Sequence, residues 1–160
     1  MSEEMKGKPA WPGGPAPTRL LGLGHDIVSV EPFAQQLAEP GSRMRDLFSP
    51  REQRQCAERS RFKGDSEAVH LSARWAGKES VVKAWSAALG PRPAPYTLDD
   101  FPWAGIEILD DSRSRPGVYL ADEVRDRLCS SLELTAAPIW RISLSHDGGL
   151  ASAAAALVVW

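Results

Sequence analysis

Between Ser66 and Leu89, apolar residues return at helical spacing. Ala68, Leu71, Trp75, Val82, Trp85 and Leu89 predict one long helix with an apolar stripe. Gly90-Pro91 is a fitting stop, because glycine accepts a left-handed cap and proline cannot continue the helix. Ser49-Pro50-Arg51-Glu52 is a helix start, with Ser49 as cap, Pro50 in the first turn and Glu52 completing a capping box. Shorter helices are predicted over Val30 to Leu37 and Ala121 to Leu134. Strands are predicted over Arg19 to Gly24, Ile106 to Leu109, Val118 to Leu120, Pro138 to Ser145 and Leu150 to Val159. The turn from Asp110 to Pro116 makes a hairpin of the second and third strands, and Asp147-Gly148-Gly149 makes one of the last two. Helices and strands are mixed without strict alternation, which predicts an α+β fold.

Residues 1–18 carry no such pattern. They are polar, then rich in Pro and Gly around Trp11, and are expected to form a disordered tail, with residues 19–160 as one domain. Whether Trp11 serves a partner is left open. The stretch from Pro91 to Pro102 is a proline-rich loop.

Charge narrows the partners. The net charge of −2 gives no general drive toward nucleic acid or an anionic membrane. No apolar run is long enough to span a bilayer, and no secretory signal precedes the domain. Cys56 and Cys129 are isolated, with neither a CxxC pair nor a disulfide framework. A cytoplasmic protein is therefore expected. Arginine outnumbers lysine among the 19 basic residues, which suits phosphate and carboxylate recognition. Arg51, Arg54, Arg59, Arg61 and Lys63 crowd one helix, as a solvated face or a dock for an acidic partner.

The candidate chemistry lies in three places. Asp26 sits where the first strand ends, after Gly22-Leu23-Gly24. Glu79 and Lys83 share one face of the long helix. His146 follows Ile142 and Leu144 in alternation at a strand end. Two acids without a Cys/His cluster suit Mg²⁺ better than Zn²⁺. Each residue also has a plainer explanation. Asp26 can be a surface acid, Glu79–Lys83 a helix-stabilising ion pair worth about 0.3–0.5 kcal/mol, and His146 a satisfied core histidine. The flanking Trp75, Ala76, Val82 and Trp85 place part of the helix deep, where a Glu and a Lys need a reason to be. Ser145-His146-Asp147 is no catalytic relay, since neighbours in a strand point to opposite faces. Neither a Walker loop, a nucleophile elbow nor a dinucleotide fingerprint occurs.

At these residues the chain resembles the holo-acyl-carrier-protein synthases, the small bacterial 4'-phosphopantetheinyl transferases. Gly22-Leu23-Gly24-His25-Asp26-Ile27-Val28 is similar to their opening G-[IL]-G-x-D-[IL]-[VT]. Phe48 to Glu52 is similar to F-[TS]-x-x-E, Ala73 to Ala84 to x-R-[FW]-A-[AG]-K-E-A-x-x-K-A, and Ile142 to Asp147 to [VI]-S-[IL]-S-H-[TD]. Ile106-Glu107-Ile108 and Ser114-Arg115-Pro116 resemble the family's I-E-[VI] strand and G-[KR]-P turn. The likeness runs from about Leu20 to Val159. It implies the transferase fold, a small antiparallel sheet packed on a long central helix, assembled as a homotrimer with sites between subunits.

It also implies a reaction. The 4'-phosphopantetheine of coenzyme A passes to a serine of an acidic apo acyl carrier protein, and adenosine 3',5'-bisphosphate leaves. Asp26 and Glu79 would hold Mg²⁺, and Lys83 the phosphates. His146, Arg74, Arg115 and Pro116 would meet the nucleotide. Arg43, Arg45, Arg51 and Arg54 are candidates for carrier docking. The serine proton goes to Glu79 or to a water held by Asp26 and the metal. Carriers of fatty-acid and of polyketide synthesis are both compatible, and acylated coenzyme A is an open question. Ser42-Arg43-Met44-Arg45 matches the family's docking segment only loosely, the loop from Leu89 to Phe101 is longer than usual, and the tail has no counterpart. Two competing functions are a metal-dependent phosphoester hydrolase and an inactive coenzyme A- or carrier-binding module.

Overall fold

The computed structural model describes residues 19–160, so the tail expected over residues 1–18 lies outside the described residues. Strand β1 (Arg19–Ser29) leads into helix α1 (Val30–Ala38), and a short 3-10 turn (Met44–Leu47) precedes α2 (Pro50–Lys63). Helix α3 (Glu67–Leu89) follows. A second 3-10 turn (Trp103–Gly105) then opens the pair β2 (Ile106–Asp110) and β3 (Pro116–Leu120). Helix α4 (Asp122–Ser131) and the hairpin β4 (Ile139–Asp147) and β5 (Leu150–Val159) complete the chain. The fold is α+β. One antiparallel sheet has the order β1-β5-β4, and β2-β3 forms a separate antiparallel pair.

Helix α3 is the centre on which the other elements pack. Its expected apolar stripe is too narrow a description. Leu71, Val81 and Trp85 are buried, and so are Ser72, Arg74, Lys78 and Ser80, while Trp75 and Val82 are only half-buried. A helix covered on most sides must bury polar residues, and each then needs a partner. The small inward residues of β5, Ala151, Ala153 and Ala155, let the sheet lie close to it. The helix ends at Gly90, with φ at 60°, and Arg92 donates to the carbonyls of Leu89 and Ala88 at 3.1 and 3.2 Å.

The capping box of α2 is complete. Ser49 Oγ accepts from the Glu52 N–H at 3.2 Å, and Glu52 Oε2 accepts from the Ser49 N–H at 2.9 Å. Helix α4 stops short of Leu134, because Glu133 takes a positive φ of 55°. Gly148 and Gly149, both at positive φ, turn the last hairpin.

One boundary matters for the site. β1 does not stop at Gly24. Pairing with β5 continues to Ser29 opposite Leu150, so Asp26 lies inside the strand. Gly22, Gly24 and Asp26 are buried on the face toward α3, while Leu23, His25 and Ile27 point away. Among the described residues, no helix is long and apolar enough to cross a membrane.

Candidate active site

Two glycines bring β1 onto α3. A Cβ on Gly22 would stand 2.0 Å from the Ala84 carbonyl oxygen, and one on Gly24 would stand 1.9 Å from that of Ser80. Only backbone without side chains fits there. Asp26, next on the same face, therefore arrives over the turn of α3 that carries Glu79 and Lys83.

Lys83 Nζ donates to Asp26 Oδ1 at 2.7 Å and to the His25 carbonyl at 3.2 Å. The ion pair suggested by helix spacing is thus replaced by one across to the strand. Lys83 is not buried: its side chain is 53% exposed against 9% for Asp26. Glu79 is half-buried. Burial raises the proton affinity of its carboxyl, and the charge and hydrogen bonding of Asp26 raise it further, against the opposing pull of Lys83. The hydrogen bond to Asp26 leads in holding Lys83 above the ordinary lysine range. With Glu79 ionised, Asp26 Oδ2 is buried and has no hydrogen-bond donor among the described residues. An orphaned carboxylate oxygen beside a second carboxylate is costly unless a cation completes it. The donor set is all oxygen, which fits a hard divalent ion. Among the described residues, no group of three or more His, Cys, Asp or Glu side chains could hold a metal. Two carboxylates leave the remaining positions to water and substrate.

A second cluster lies elsewhere on α3. A cavity of about 280 Å³ is lined by Arg59, Lys63, His70, Arg74, Pro116 and His146, among others, and by none of Asp26, Glu79 or Lys83. Glu79 lies five positions after Arg74, which turns them about 140° apart around the helix. The chain therefore brings Asp26, Glu79 and Lys83 together, and separately His146, Arg74 and Pro116.

The Arg74 guanidinium is 5% exposed and already engaged, donating to Asp110 at 2.8 and 3.3 Å. His146 sits edge-to-face with His70 at 5.8 Å, and burial, followed by Lys63 and His70, lowers its pKa. His70 is buried and bonded to Asp65 at 2.6 Å. His146 itself is exposed, so it is not a core histidine. Arg115 is exposed beside the cavity and bonded to Asp111, whose pKa it pulls down to about 2.

The four arginines expected to dock the carrier do not form one free basic surface. Arg43 pairs with Asp46 at 3.0 Å, Arg45 with both oxygens of Glu67 at 3.1 and 3.2 Å, and Arg51 with Glu107. Arg54 alone of the four makes no ion pair among the described residues.

Three partnerships were not anticipated: Asp110 with two arginines, Asp65 with His70, and Glu52 with Lys78. The last is fully buried. Lys78 Nζ lies 2.8 Å from Glu52 Oε2 and donates to the Trp103 carbonyl at 2.8 Å and to that of Ile106. Burial lowers the Lys78 pKa, and Glu52 opposes the shift. Glu52 also takes the Ile108 N–H at 2.9 Å, so a residue recognisable as a cap is at the same time a core anion.

A sequence model of the 4'-phosphopantetheinyl transferase superfamily matches residues 22–155. The chain belongs to that superfamily, and it is an enzyme, a phosphopantetheinyl transferase. Within the superfamily it groups with the holo-[acyl-carrier-protein] synthases. It is 56% identical over 143 residues to the one from Bifidobacterium animalis subsp. lactis, covering 86% of this chain and 97% of that one. A solved ACPS–CoA complex from Chronobacterium ammoniagenes is 36% identical, with a TM-score of 0.77 over 87% of this chain and 97% of its own. The acyl carrier protein synthase of Mycobacterium tuberculosis is 31% identical, with a TM-score of 0.64 over 87% and 97%.

Proposed function

We propose that this enzyme transfers 4'-phosphopantetheine from coenzyme A to a serine of an acidic apo acyl carrier protein, with Mg²⁺, releasing adenosine 3',5'-bisphosphate. The observation that carries the metal-dependent form of the reading is the buried, unpartnered Asp26 Oδ2 next to Glu79. Asp26 and Glu79 would hold the cation. When bound, it would neutralise the pyrophosphate and stabilise charge developing on the leaving group.

The chain's own residues supply the rest. Lys83, half-exposed and kept protonated by Asp26, reaches out to the phosphates. Glu79, or a water held by Asp26 and the cation, would accept the serine proton. The serine oxygen bonds to the phosphorus that carries pantetheine, and the bond from that phosphorus to the adenosine bisphosphate oxygen breaks. Phosphoryl transfer of this kind depends mostly on positioning and charge. His146, with Arg74 and Pro116 in the second cavity and Arg115 at its edge, meets the nucleotide.

The separation of the two clusters on α3 supports a homotrimer. Asp26, Glu79 and Lys83 of one subunit would face the His146 cavity of the next. Leu20, Leu23 and Ile27, exposed on the outer face of β1, are apolar side chains such an assembly would cover. Arg54 is the docking candidate still free for the carrier. A cytoplasmic setting suits two thiols that make no disulfide.

The test is to incubate the protein with coenzyme A, Mg²⁺ and an acidic apo carrier protein and weigh the carrier. A gain of one phosphopantetheine arm, abolished by a chelator, is expected. Phosphoester cleavage without a carrier, or no gain with any fatty-acid or polyketide carrier, would overturn the proposal.

A further inference from the structure

Around Glu79, helix α3 is open to one side. Glu79, Val82, Lys83 and Ser86 are half-buried or exposed there, whereas Ser80, Val81, Ala84 and Trp85 are buried. Ser86 follows Glu79 by seven positions, so it stands within about 20° of it and roughly 10 Å further along the axis. A cavity of about 280 Å³ lies at the Ser86 end of this stripe. Val82, Trp85 and Ser86 line it from the helix, and Tyr96, Leu98 and Phe101 from the proline-rich loop. None of its lining residues is charged, in contrast to the cavity that holds Arg59, Arg74 and Asp110.

The loop is fixed at both ends. Arg92 ties its start to the carbonyls of Leu89 and Ala88, and Asp100 Oδ1 accepts from the Thr97 N–H and hydroxyl at 2.6 and 2.7 Å. Trp85, Tyr96 and Phe101 pack edge to face, with centroids 5.2 to 6.2 Å apart. Leu98 remains 75% exposed, a large apolar side chain without an apolar cover. Such a space rejects phosphate and nucleotide, because a charge there loses its water and gains no partner. It suits an uncharged apolar group. An apolar cavity of about 150 Å³ holds one benzene ring, so this one has room for roughly ten carbons.

In the proposed reaction Lys83 meets the phosphates, and pantetheine extends from them. That arm is about as long as four extended residues, roughly 14 Å. From Lys83 to Leu89, which also lines the cavity, α3 rises only about 9 Å. The sulfur therefore reaches the cavity with length to spare, and whatever it carries can enter.

We infer that this cavity is an acyl pocket: the enzyme accepts coenzyme A whose thiol bears a saturated chain of up to about ten carbons and passes the acylated arm to the carrier. The inference rests on the proposal that Glu79 and Lys83 face the pyrophosphate of coenzyme A. The thioester takes no part in the chemistry. The serine oxygen bonds to the phosphorus that carries the arm, the bond from that phosphorus to the adenosine bisphosphate oxygen breaks, and the serine proton leaves as it does with the free thiol.

The experiment uses the full chain with coenzyme A and its octanoyl and tetradecanoyl thioesters, titrated calorimetrically without carrier, then incubated with carrier and weighed. Each fully buried methylene tightens binding by up to about fourfold. Octanoyl coenzyme A is expected to bind at least about tenfold tighter than coenzyme A and to leave its octanoyl arm on the carrier, whereas the tetradecanoyl thioester adds no further affinity. Ala94→Trp replaces an exposed lining residue with an indole that fills the cavity. It should cancel the octanoyl gain, with affinity for coenzyme A, kcat with coenzyme A and Tm unchanged. Leu98→Asp, which puts a charge in the wall, should do the same if the indole turns outward. An octanoyl thioester that binds no tighter than coenzyme A, one that binds but is not transferred while coenzyme A is, or a gain that survives both variants would overturn the inference. So would an equal loss of transfer from coenzyme A itself, which would assign the cavity to a side chain of the carrier. Should the gain appear and both variants remove it while no carrier gains mass from either donor, it is the transfer reaction that fails and not the pocket.

Discussion

Gly24→Ala places one methyl group where the structure has no room. The new Cβ would stand 1.9 Å from the Ser80 carbonyl oxygen, 2.6 Å from the Ala84 nitrogen and 2.9 Å from Lys83 Cβ. Two of these atoms are backbone of a buried helix and cannot rotate away. β1 and α3 must therefore part by roughly 1 Å, since core side chains are close-packed and relax only a little. Overpacking of this kind costs about 1–3 kcal/mol. For a domain of this size that lowers Tm by about 2–4 °C per kcal/mol. The effect on the reaction is larger. Asp26 is two residues further along the same face, and in the proposed reaction it would share an ion with Glu79 across the gap that has just widened. Metal–oxygen bonds to Mg²⁺ hold within narrow limits near 2.0–2.1 Å, roughly. A displacement of about 1 Å can cost a hundredfold in rate. Carrier mass gain should fall about a hundredfold at a fixed time in the linear range, and the Mg²⁺ concentration for half-activity should rise. Gly105→Ala is the control. Its Cβ would meet Val124 Cγ2 at 2.9 Å and otherwise only Ala121 and Pro102, none of them on β1 or α3, so it should lose stability without losing metal dependence. Wild-type rate and unchanged Mg²⁺ dependence in Gly24→Ala would refute the argument that the β1–α3 contact sets the carboxylate pair.

Three other variants probe the same architecture. Glu79 binds a proton more tightly in the folded state, so its favourable contribution is present below its unfolded pKa and is lost as pH rises through the folded value. Glu79→Gln should therefore be as stable as wild type or more so at pH 7 without metal, lose that advantage toward acid pH, and transfer nothing; a lower Tm at pH 7 would contradict the sign. Lys78→Met should destabilise by about 3–5 kcal/mol in urea unfolding, because Glu52 is left charged in the core, and adding Glu52→Gln should recover much of it. Leu23→Glu with Ile27→Glu places charges on the exposed face of β1 and should shift sedimentation from trimer to monomer with loss of transfer; an unaltered trimer would locate the subunit contact elsewhere.

What the sequence discloses and what it hides divide along a physical line. Local chemistry is legible. The capping box, Gly90-Pro91, the Gly148-Gly149 turn and the long helix each depend on neighbours within a few positions. Asp26 stood out as an acid at the end of an apolar strand, within a stretch that resembles the family's opening motif. Contacts across the fold are not legible in the same way. Lys83 follows Glu79 by one turn, yet its ammonium goes to a strand far away in sequence. Lys78 and Glu79 are adjacent charged residues. Nothing local says that the first turns into the core and the second toward Asp26, because the choice is made by Glu52 and two carbonyls outside the helix. The arginine-rich run on α2 reads as one basic surface until Glu107 and Asp110 draw off Arg51 and Arg59.

The same distinction explains why one helix can serve two halves of a site. Residues five apart on α3 face different sides, so a single chain cannot close Arg74 and Glu79 around one small ligand. Coenzyme A is long and charged at both the pyrophosphate and the nucleotide. Each cluster is incomplete in a complementary way. Asp26 keeps one carboxylate oxygen without a donor even with Lys83 on the other, and two guanidinium groups share the single Asp110 carboxylate. In the proposed reaction the pyrophosphate, with its cation, would lie at the first and the nucleotide at the second. In the proposed trimer the two would meet from neighbouring subunits, which would make assembly a condition of binding rather than an addition to it, and that is why the Leu23 and Ile27 variants are expected to lose activity along with assembly.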